Sequence, residues 1–570
     1  MGTPGNVVVT EAPYRFLTGA FVAGHRRDRQ KEVRMTLLSA LSHTAAPSSV
    51  LLDRGDVVVD RGILHLVHDD VAPHEAREAD LLLVADTLEA AGVDLLLIRH
   101  DRSEPALVVD TRQREVALEA LAAVCTREPL YLKSKGRAPA LACDAEPTGD
   151  GPSFVRLYRP RITASGSLRY GPSLGVPLEF WRFGADVVQA PRDNALTRRH
   201  TPVEDIAYAD VERHGRTWRT IAGMFDPHPL DVTEDIDIVF SWVDGSSSEF
   251  QRQRAAQLSA YQVGQGDDGP ARYRQVDELR YALRSVHMHA PWIRRIFIAT
   301  DSPAPAWLRE HPKVTIVRSE EFFADPAVLP THNSHAVEAQ LHRIPGLAEH
   351  FLYSNDDMFF GRAVDPGMFF TPGGVTKFVE CEVRIGAGDP ALHRSGHDNG
   401  LRVNRALLRG RFGRTIVRDL EHCAAPLRKS VMAELEQAFP DDFARTAASR
   451  FRSATDISVT NSLYHYYALL TGRAVATRAP RVRYAQTTMA SGVRLMERLA
   501  ERRDADMFCL NDGGEAEVPE EIRVQAIRGA LERMFPVRAP WERDELSEAR
   551  ESARSAHPSV RRSAQSHPTA

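Results

Sequence analysis

The chain has 570 residues, 43% of them hydrophobic and 26% charged, a globular composition long enough for two or three domains. Its 72 Lys and Arg residues nearly balance its 77 Asp and Glu residues. The formal net charge of −5 therefore argues against a dedicated nucleic-acid or membrane-surface protein. Five scattered cysteines without a CxxC pair argue against a disulfide framework and fit a reducing compartment.

Residues 1–45 show no signal-peptide pattern, and their run of basic side chains predicts a flexible, solvated leader. The most apolar long stretch, 81–98, is interrupted by Asp86, Glu89 and Asp94. It predicts a strand, a helix and a second strand, not a membrane span. We therefore expect a cytoplasmic protein without a transmembrane segment.

Residues 46–135 alternate between strand-like and helical patterns, which predicts a small α/β domain. The predicted strands are 57–59, 81–84, 95–98 and 106–109, and the predicted helices are centred on Leu88 and on 116–124. Residues 136–230 are rich in Gly, Pro and aromatic residues and predict a β-rich extension or linker. The block 231–542 carries nearly all recognisable chemistry, and the Ser- and Arg-rich residues 543–570 predict a disordered tail.

Three apolar strand patterns in the third block each run into acidic residues. They are 238–243 before Asp244, 293–299 before Asp301, and 350–354 before Asn355, Asp356 and Asp357. Helical patterns separate them, so we expect a mostly parallel sheet whose ligands bind beyond the carboxyl ends of the strands. One Asp after a strand is usually a turn former, but three together suit Mg²⁺ or Mn²⁺ holding a diphosphate.

Charged side chains also recur on two predicted helices. Asp277, Arg280 and Arg284 fall at i, i+3 and i+7, which fits either a solvated face or a phosphate clamp beside the acidic rim. On the second helix, which Ser334 is expected to cap, His335, Glu338 and His342 share a face. Their spacing can ligate zinc, but no HExxH pattern accompanies it, so we expect structural histidines and a Glu338 directed toward the rim.

A third amphipathic helix is predicted by apolar residues recurring every four positions from Leu427 to Phe439. His422 would lie just upstream, near the positive end of that helix, where a phosphate is favoured. A single His is usually structural and a single Arg, such as Arg452, is usually a surface ion pair. Both gain significance only beside the acidic rim.

These segments resemble the four conserved regions of the Stealth family. The most specific motifs are 277–284 (DELRYALR), 329–338, 353–357 (YSNDD) and 451–453 (FRS), and the resemblance covers about half of the chain. The family includes bacterial capsule and exopolysaccharide phosphotransferases and the catalytic subunit of the lysosomal-enzyme GlcNAc-1-phosphotransferase. The chain departs from the family pattern just after His422 and after Asp512.

The resemblance implies an α/β fold with a Rossmann-like, glycosyltransferase-A-like catalytic core and an additional N-terminal α/β domain. It places the family's functional positions at Glu338, Asp357, His422 and Arg452. We expect His422 or Glu338 to be the general base. The expected metal ligands are Asp357, Asp356 and Asp512, and the expected substrate-binding residues are Asp244, Asp277, Arg280, Arg284 and Asn355.

The resemblance further implies an exopolysaccharide or capsule phosphotransferase. It would move hexose-1-phosphate from a nucleotide-sugar, expected to be a UDP-sugar, to a glycan hydroxyl and release the nucleoside monophosphate. The alternatives are a metal-dependent glycosyltransferase that releases a nucleoside diphosphate, and a non-catalytic sugar-binding protein. The expected partners are donor and acceptor glycan, without nucleic acid, together with peripheral association with a polysaccharide export complex.

Overall fold

The computed structural model describes residues 47–100, 104–144, 152–258, 275–513 and 516–543. The predicted leader at 1–45 and the predicted tail after Arg543 lie outside these residues. Within them, none of the helices combines the length and the apolar character that crossing a membrane requires. All five cysteines are free thiols.

The N-terminal region combines three helices with sheets of mixed direction. In chain order its elements are α1 Pro47–Leu52, β1 Val57–Asp60, β2 Ile63–His68, α2 Pro73–Ala90, β3 Leu96–Arg99, β4 Pro105–Asp110, α3 Arg114–Val124, β5 Tyr131–Lys133, β6 Ala140–Leu141, β7 Phe154–Tyr158, β8 Arg161–Thr163, β9 Arg169–Tyr170, β10 Val176–Phe183, β11 Val187–Gln189, β12 His200–Pro202, β13 Tyr208–Arg213 and β14 Arg216–Ile221. Strands β1, β2, β8 and β9 form a four-stranded sheet, and β13 and β14 form a hairpin.

The largest sheet of this region has eight strands, ordered β12-β11-β10-β7-β5-β6, with β4 paired to β10 and β3 to β4. The pairing of β4 with β10 is parallel and joins strands from either side of residue 135. The domain boundaries stay predictions, and this shared sheet argues against the boundary at 135.

One predicted strand of this region is wrong, because 81–84 lies inside the helix α2. Leu81, Val84, Ala85 and Leu88 are all buried, and their spacing of i, i+3, i+4 and i+7 is that of one helix face. A short apolar run does not by itself distinguish a buried strand from a buried turn of helix.

The second region contains all of the predicted site residues. Its elements are β15 Ile236–Ser241, α4 Ser248–Leu258, α5 Glu278–His289, β16 Ile296–Ala299, β17 Val314–Val317, α6 Ser319–Phe322, α7 Ser334–Glu338, β18 His350–Asn355, β19 Met358–Phe360, β20 Thr376–Arg384, α8 Gly396–Phe412, β21 Arg418–Leu420, β22 Ala425–Arg428, α9 Lys429–Ala438, α10 Pro440–Ala448, α11 Tyr464–Leu470, β23 Ala474–Thr477, β24 Val482–Gln486, α12 Ala490–Arg502, β25 Met507–Asn511 and α13 Glu520–Met534.

The central sheet of this region has the strand order β17-β16-β15-β18-β22. The first four strands are parallel and β22 runs antiparallel to β18. This order, with β15 in the middle and the chain reversing direction across the sheet after β17, is that of a Rossmann-like unit. The predicted fold class, an α/β chain with a Rossmann-like core and an additional N-terminal α/β domain, is confirmed.

Alternate residues of β15 face two different cores, as the pleat of a strand requires. Ile238 and Phe240 pack with Leu283 of α5, whereas Val239 packs on the opposite face among the residues of α7 and α9. The N-terminal region joins the first of these cores through α2, whose Ala76 belongs to it. The sheet is therefore covered on both sides, and its free edge for ligands is the carboxyl end of the strands.

The predicted helix that begins at Leu427 is shorter than expected. Residues Ala425–Arg428 instead form β22, and α9 starts only at Lys429. Leu427 fits the four-residue apolar spacing, but its backbone pairs with Phe351 of β18. A strand therefore lies between His422 and α9, which corrects the expectation that His422 lies at the N-terminus of that helix.

Candidate active site

A cleft of about 470 Å³ opens beyond the carboxyl end of β15. Three of the predicted substrate-binding residues, Asp244, Asp277 and Arg280, line it together with the largely buried Trp242 and Trp307. Its volume is that of a small-molecule site, and it combines aromatic walls with a few charged groups. The cleft can therefore accept a planar base and a charged substituent of one ligand.

Asp277 begins α5 from a left-handed backbone conformation, with φ of 60°. Few residues other than Gly adopt that conformation, and Asp is one that tolerates it. The side chain of Asp277 is exposed, whereas the next residue, Glu278, is buried. The strained start of the helix thus directs two adjacent carboxylates to different sides.

Arg284 does not reach this cleft. Its guanidinium forms two hydrogen bonds of 2.7 Å to the carboxylate of Glu542 and a third of 3.0 Å to the carbonyl of Phe535. Arg280 also donates to Glu542, at 2.7 Å. We therefore correct the expectation that Arg284 clamps a phosphate, because its donors are committed to a buried carboxylate that sequence reasoning missed.

Acidic side chains gather where β18 ends. Asp356 and Asp357 follow that strand, and the charges of Glu278 and Asp512 act on Asp357. Burial and the charges of Glu278 and Asp512, against the opposing hydrogen bond from Cys509, together raise the pKa of Asp357 to about 7. Burial, followed by the charges of Asp357 and Glu278, raises the pKa of Asp356 well above its usual range. Because their negative charges repel one another, these carboxyls do not all ionise readily at neutral pH unless a cation binds between them.

The donor set suits a hard divalent cation. Among the described residues, Oδ1 of Asp357 is buried without a hydrogen-bond partner, while Oδ2 accepts a thiol hydrogen bond from Cys509 at 3.6 Å. Asp512 accepts a hydrogen bond from Thr487 and lies 3.5 Å from the guanidinium of Arg523. The described carboxylates at this position do not bring three ligand atoms within 4.8 Å of one another. That arrangement fits Mg²⁺, which usually takes one or two carboxylates and completes its shell with substrate phosphate and water.

Asn355 links the acidic residues to β15. Its Oδ1 accepts a hydrogen bond of 2.9 Å from the hydroxyl of Tyr353, which lies 2.8 Å from the hydroxyl of Ser241. Ser241 and Asn355 are partners in the parallel register of the two strands. The amide of Asn355 is thus held at the sheet edge, next to the two aspartates.

Glu338 lies at the end of α7 and is 2% exposed. Its Oε2 accepts a hydrogen bond of 2.6 Å from the hydroxyl of Thr460. Burial raises the pKa of Glu338, and the hydrogen bond from Thr460 and the charges of Arg452 and His397 oppose that rise. Glu338 therefore lies in the same electrostatic cluster as Arg452.

Arg452 is held in place from two sides. Its guanidinium donates to the hydroxyl of Ser334 at 2.8 Å. On the other side, a Cβ added at Gly396 would lie 2.7 Å from Cβ of Arg452, so only glycine allows this close approach of α8. Ser334 is the first residue of α7 and not its cap, because the Asn333 side chain accepts the capping hydrogen bond from the amide of His335.

His422 belongs to a group of side chains that the sequence did not connect. Its ring lies 5.7 Å from the ring of His397 and 5.1 Å from that of Tyr484, measured between centroids. His397 and Asp419 form a hydrogen bond of 2.8 Å between Nε2 and Oδ2. Burial and the charges of His397 and Arg452, against the opposing charge of Asp419, together lower the pKa of His422 to about 4. A neutral imidazole is therefore available at neutral pH.

His397 shows the opposite behaviour. Burial lowers its pKa, but the hydrogen bond and the charge of Asp419 outweigh burial, and the net pKa is raised. Two neighbouring imidazoles thus differ in protonation, one able to accept a proton and the other able to carry a charge. Sequence reasoning did not connect His397 and Asp419 with His422, because neither residue belongs to a motif that it recognised.

His335, Glu338 and His342 do not form the zinc site that their spacing allowed. Nε2 of His342 is bound to Oε2 of Glu436 at 2.9 Å, and His342 lies in a separate 3₁₀ turn beyond α7. Two other groups in the described chain bring three ligand atoms within 4.8 Å of one another, namely His74, Glu75 and His287, and His397, Asp419 and His422.

Positive charge opposes a cation at both of those groups. The charge of Lys313 acts on His74 and His287, which also lie near the N-terminus of α2. The charge of Arg452 acts on His397 and His422, and His397 is the second residue of α8. Helix N-termini and arginines favour anions, so the second group is better suited to phosphate than to metal.

Comparison with known proteins identifies the family of the chain. Models of four conserved regions of one family match the chain: Stealth protein CR1 at 234–262, CR2 at 272–378, CR3 at 421–469 and CR4 at 497–553. The exopolysaccharide phosphotransferase CpsY of Mycobacterium tuberculosis is 54% identical over 491 residues, which are 85% of this chain and 92% of the relative. An exopolysaccharide phosphotransferase of Nocardia farcinica is 51% identical over 86% of this chain and 93% of its own length.

Among solved structures, the galactosyltransferase LgtC in complex with donor and acceptor sugar analogues aligns with 55% of this chain and 99% of its own. The identity is 12% and the TM-score is 0.28. A TM-score at that level carries no inference about function.

Proposed function

The chain belongs to the Stealth family, and from this premise we propose that it is an exopolysaccharide phosphotransferase that uses a nucleotide-sugar donor. It transfers hexose-1-phosphate to a glycan hydroxyl and releases the nucleoside monophosphate, with a UDP-sugar as the proposed donor. The observation that supports this most is the position of Arg452, whose guanidinium donates to Ser334 on the helix that carries Glu338 and whose charge acts on both Glu338 and His422.

The cleft beyond β15 is the proposed donor site. Trp242 and Trp307 provide flat apolar surfaces for the base, and Asp244 and Asp277 provide acceptors for sugar hydroxyls. Arg280 lies at the same cleft and shares Glu542 with Arg284. The diphosphate would then extend toward the acidic residues after β18.

The chemical step needs a base, a phosphate-binding cation and a leaving group. His422 takes the proton of the acceptor hydroxyl, whose oxygen forms a new bond to the phosphorus that bears the sugar. The bond from this phosphorus to the bridging oxygen breaks, and that oxygen leaves with the nucleoside monophosphate. Arg452 binds the non-bridging oxygens on which negative charge accumulates. The product is a sugar-phosphate-sugar diester with its anomeric bond intact.

A divalent cation, Mg²⁺ or Mn²⁺, would be held by Asp357 together with Asp512 or Asp356, and when bound it neutralises the diphosphate. Asn355 fixes the edge of the sheet beside these carboxylates through Tyr353 and Ser241. Glu338, which shares the cluster of Arg452, orients the guanidinium or the sugar. A cytoplasmic location and association with a polysaccharide export complex complete the proposal.

The identity of the released nucleotide tests this function. Purified protein is incubated with a panel of nucleotide-sugars, Mg²⁺ and a mixed oligosaccharide acceptor, and the nucleotides are separated by chromatography. Nucleoside monophosphate, formed by the wild type and not by Asp357→Asn, would support phosphoryl transfer. Release of the diphosphate would instead mean that the hydroxyl attacks the anomeric carbon, as in a glycosyltransferase. Donor binding without turnover would favour a sugar-binding protein.

A further inference from the structure

His397 occupies a position next to the proposed chemistry that no conserved motif marks. It is the second residue of α8. Ser395 caps this helix, because its hydroxyl accepts a hydrogen bond of 3.2 Å from the backbone amide of Asp398. The preceding residue is Gly396, and any larger side chain there would overlap with the side chain of Arg452, which packs against this turn. His397, Arg452 and the first turn of α8 therefore present positive charge to the same space as His422.

The surroundings of His397 favour its charged form. Asp419 of β21 binds its Nε2 at 2.8 Å and is half-buried, so the ion pair is shielded from water. The other charged groups that face it are Arg452, which opposes protonation, and Asp398 on its own helix, which favours it. Asp398 is shared with Arg394 and Arg402, so its effect is partly neutralised. The charge of His397 also acts on Glu338.

We propose that His397, held as an imidazolium by Asp419, is a second catalytic cation that binds the phosphoryl group during transfer, beside Arg452. This inference rests on the proposed function and assigns to His397 a role distinct from that of the base. The imidazolium donates a hydrogen bond to a non-bridging oxygen, and it stays protonated throughout. The acceptor proton goes to His422, and the bonds formed and broken at phosphorus are those of the transfer step described above.

The pair of histidines predicts a particular pH dependence. Activity rises as His422 loses its proton, with a pKa of about 4, and falls again when His397 loses its proton above the ordinary imidazole range. Asp419 is hydrogen-bonded to His397 and acts most directly on the second of these transitions, while its charge also raises the pKa of His422. Loss of its charge leaves burial and Arg452, which both favour the neutral form of His397, opposed by the charge of Asp398 that is shared with Arg394 and Arg402.

The experiment measures kcat/KM of the full chain between pH 3.5 and pH 9, so that both limbs are covered, with monophosphate release as the signal. Asp419→Asn should move the alkaline limb down by roughly one pH unit or more, since an adjacent opposite charge shifts a pKa by about 1–3 units. His397→Gln should lower kcat/KM roughly 10–100-fold at pH 6, the size of a lost charge-assisted hydrogen bond, and abolish that limb. His397→Lys, which keeps a cation, should restore part of the activity above pH 8.

The matched control is His393→Gln, which removes an exposed histidine four residues earlier and should leave both limbs in place. A second readout avoids turnover: the wild type should bind inorganic pyrophosphate more tightly at pH 6 than at pH 8, and His397→Gln should lose that difference. An unchanged alkaline limb in both Asp419→Asn and His397→Gln, with monophosphate still released, would overturn the role of His397 and leave the proposed function standing. Release of diphosphate by the wild type would instead overturn the proposed function.

Discussion

Asp357→Asn should inactivate the protein and at the same time stabilise it in the absence of metal at neutral pH. In the folded chain, burial and the charges of Glu278 and Asp512 raise the pKa of Asp357 to about 7, against the opposing hydrogen bond from Cys509. In the unfolded chain that carboxyl titrates near its ordinary value of 3.8. The folded state therefore binds the proton more tightly, and the stability that comes with it is full below about pH 4.

The magnitude follows from the size of that difference. Roughly three pKa units at about 1.4 kcal/mol each give an upper limit of about 4 kcal/mol, lost as the pH rises from about 4 to 7. Asp357 is only half-buried, so solvent screening reduces this, and we expect about 2 kcal/mol. Asn has nearly the same shape and no charge, so the variant avoids this loss. For a domain of 150–250 residues, about 2 kcal/mol corresponds to roughly 4–8 °C in melting temperature, and the second region is longer, so we expect a shift of about 4 °C or less.

The assay is thermal unfolding of wild type and Asp357→Asn in chelator at pH 4.5 and pH 8, followed for the transition of the second region. The variant should melt higher at pH 8, and the two proteins should converge at pH 4.5. Adding Mg²⁺ or Mn²⁺ at pH 8 should raise the melting temperature of the wild type and leave the variant unchanged. A variant that melts at or below the wild type at pH 8 in chelator would refute the reasoning about the acidic cluster.

Three further changes test other parts of the site. His422→Ala should lower kcat roughly 10²–10⁴-fold and remove the acid limb of the pH profile, and an unchanged rate would transfer the role of base to another group. Gly396→Ala should lower kcat/KM about 10-fold or more with an unchanged circular dichroism spectrum, because its Cβ would displace Arg452, and normal kinetics would contradict that contact. Glu542→Gln should destabilise the fold by about 3–5 kcal/mol, since it leaves Arg284 buried with its charge partner lost. The melting temperature checks this, and a fall in donor affinity without loss of stability would return Arg284 to the list of phosphate ligands.

The sequence predicted the parallel sheet well because each of its strands is a continuous apolar run bounded by turn residues. It failed where two structures satisfy the same pattern. The apolar residues at 81–84 fit a strand and a helix equally, and Leu427 fits the spacing of α9 while its backbone pairs with β18. Local spacing decides which residues are buried, but tertiary pairing decides which backbone conformation buries them.

The site was predicted in part for a related reason. Glu338 and Arg452 share one electrostatic cluster, and a family resemblance marks both of them. Arg284 and Glu542 are 258 positions apart, and no local pattern reveals that their charges meet. His397 and Asp419 are only 22 positions apart, but the hydrogen bond between them depends on how β21 passes the first turn of α8. The residues that sequence alone missed are those whose role is set by a partner and not by their own spacing.

The carboxylate of Glu542 also has a consequence for biosynthesis. Arg280 and Arg284 of α5 are synthesised 262 and 258 residues before Glu542. Helix α5 therefore lacks its counter-ion while the residues between α5 and Glu542 are synthesised. At about 5–20 residues per second this interval lasts roughly 10–50 s. The N-terminal region, complete by β14, has time to fold first, whereas α5 reaches its final electrostatic environment only when translation has passed residue 542.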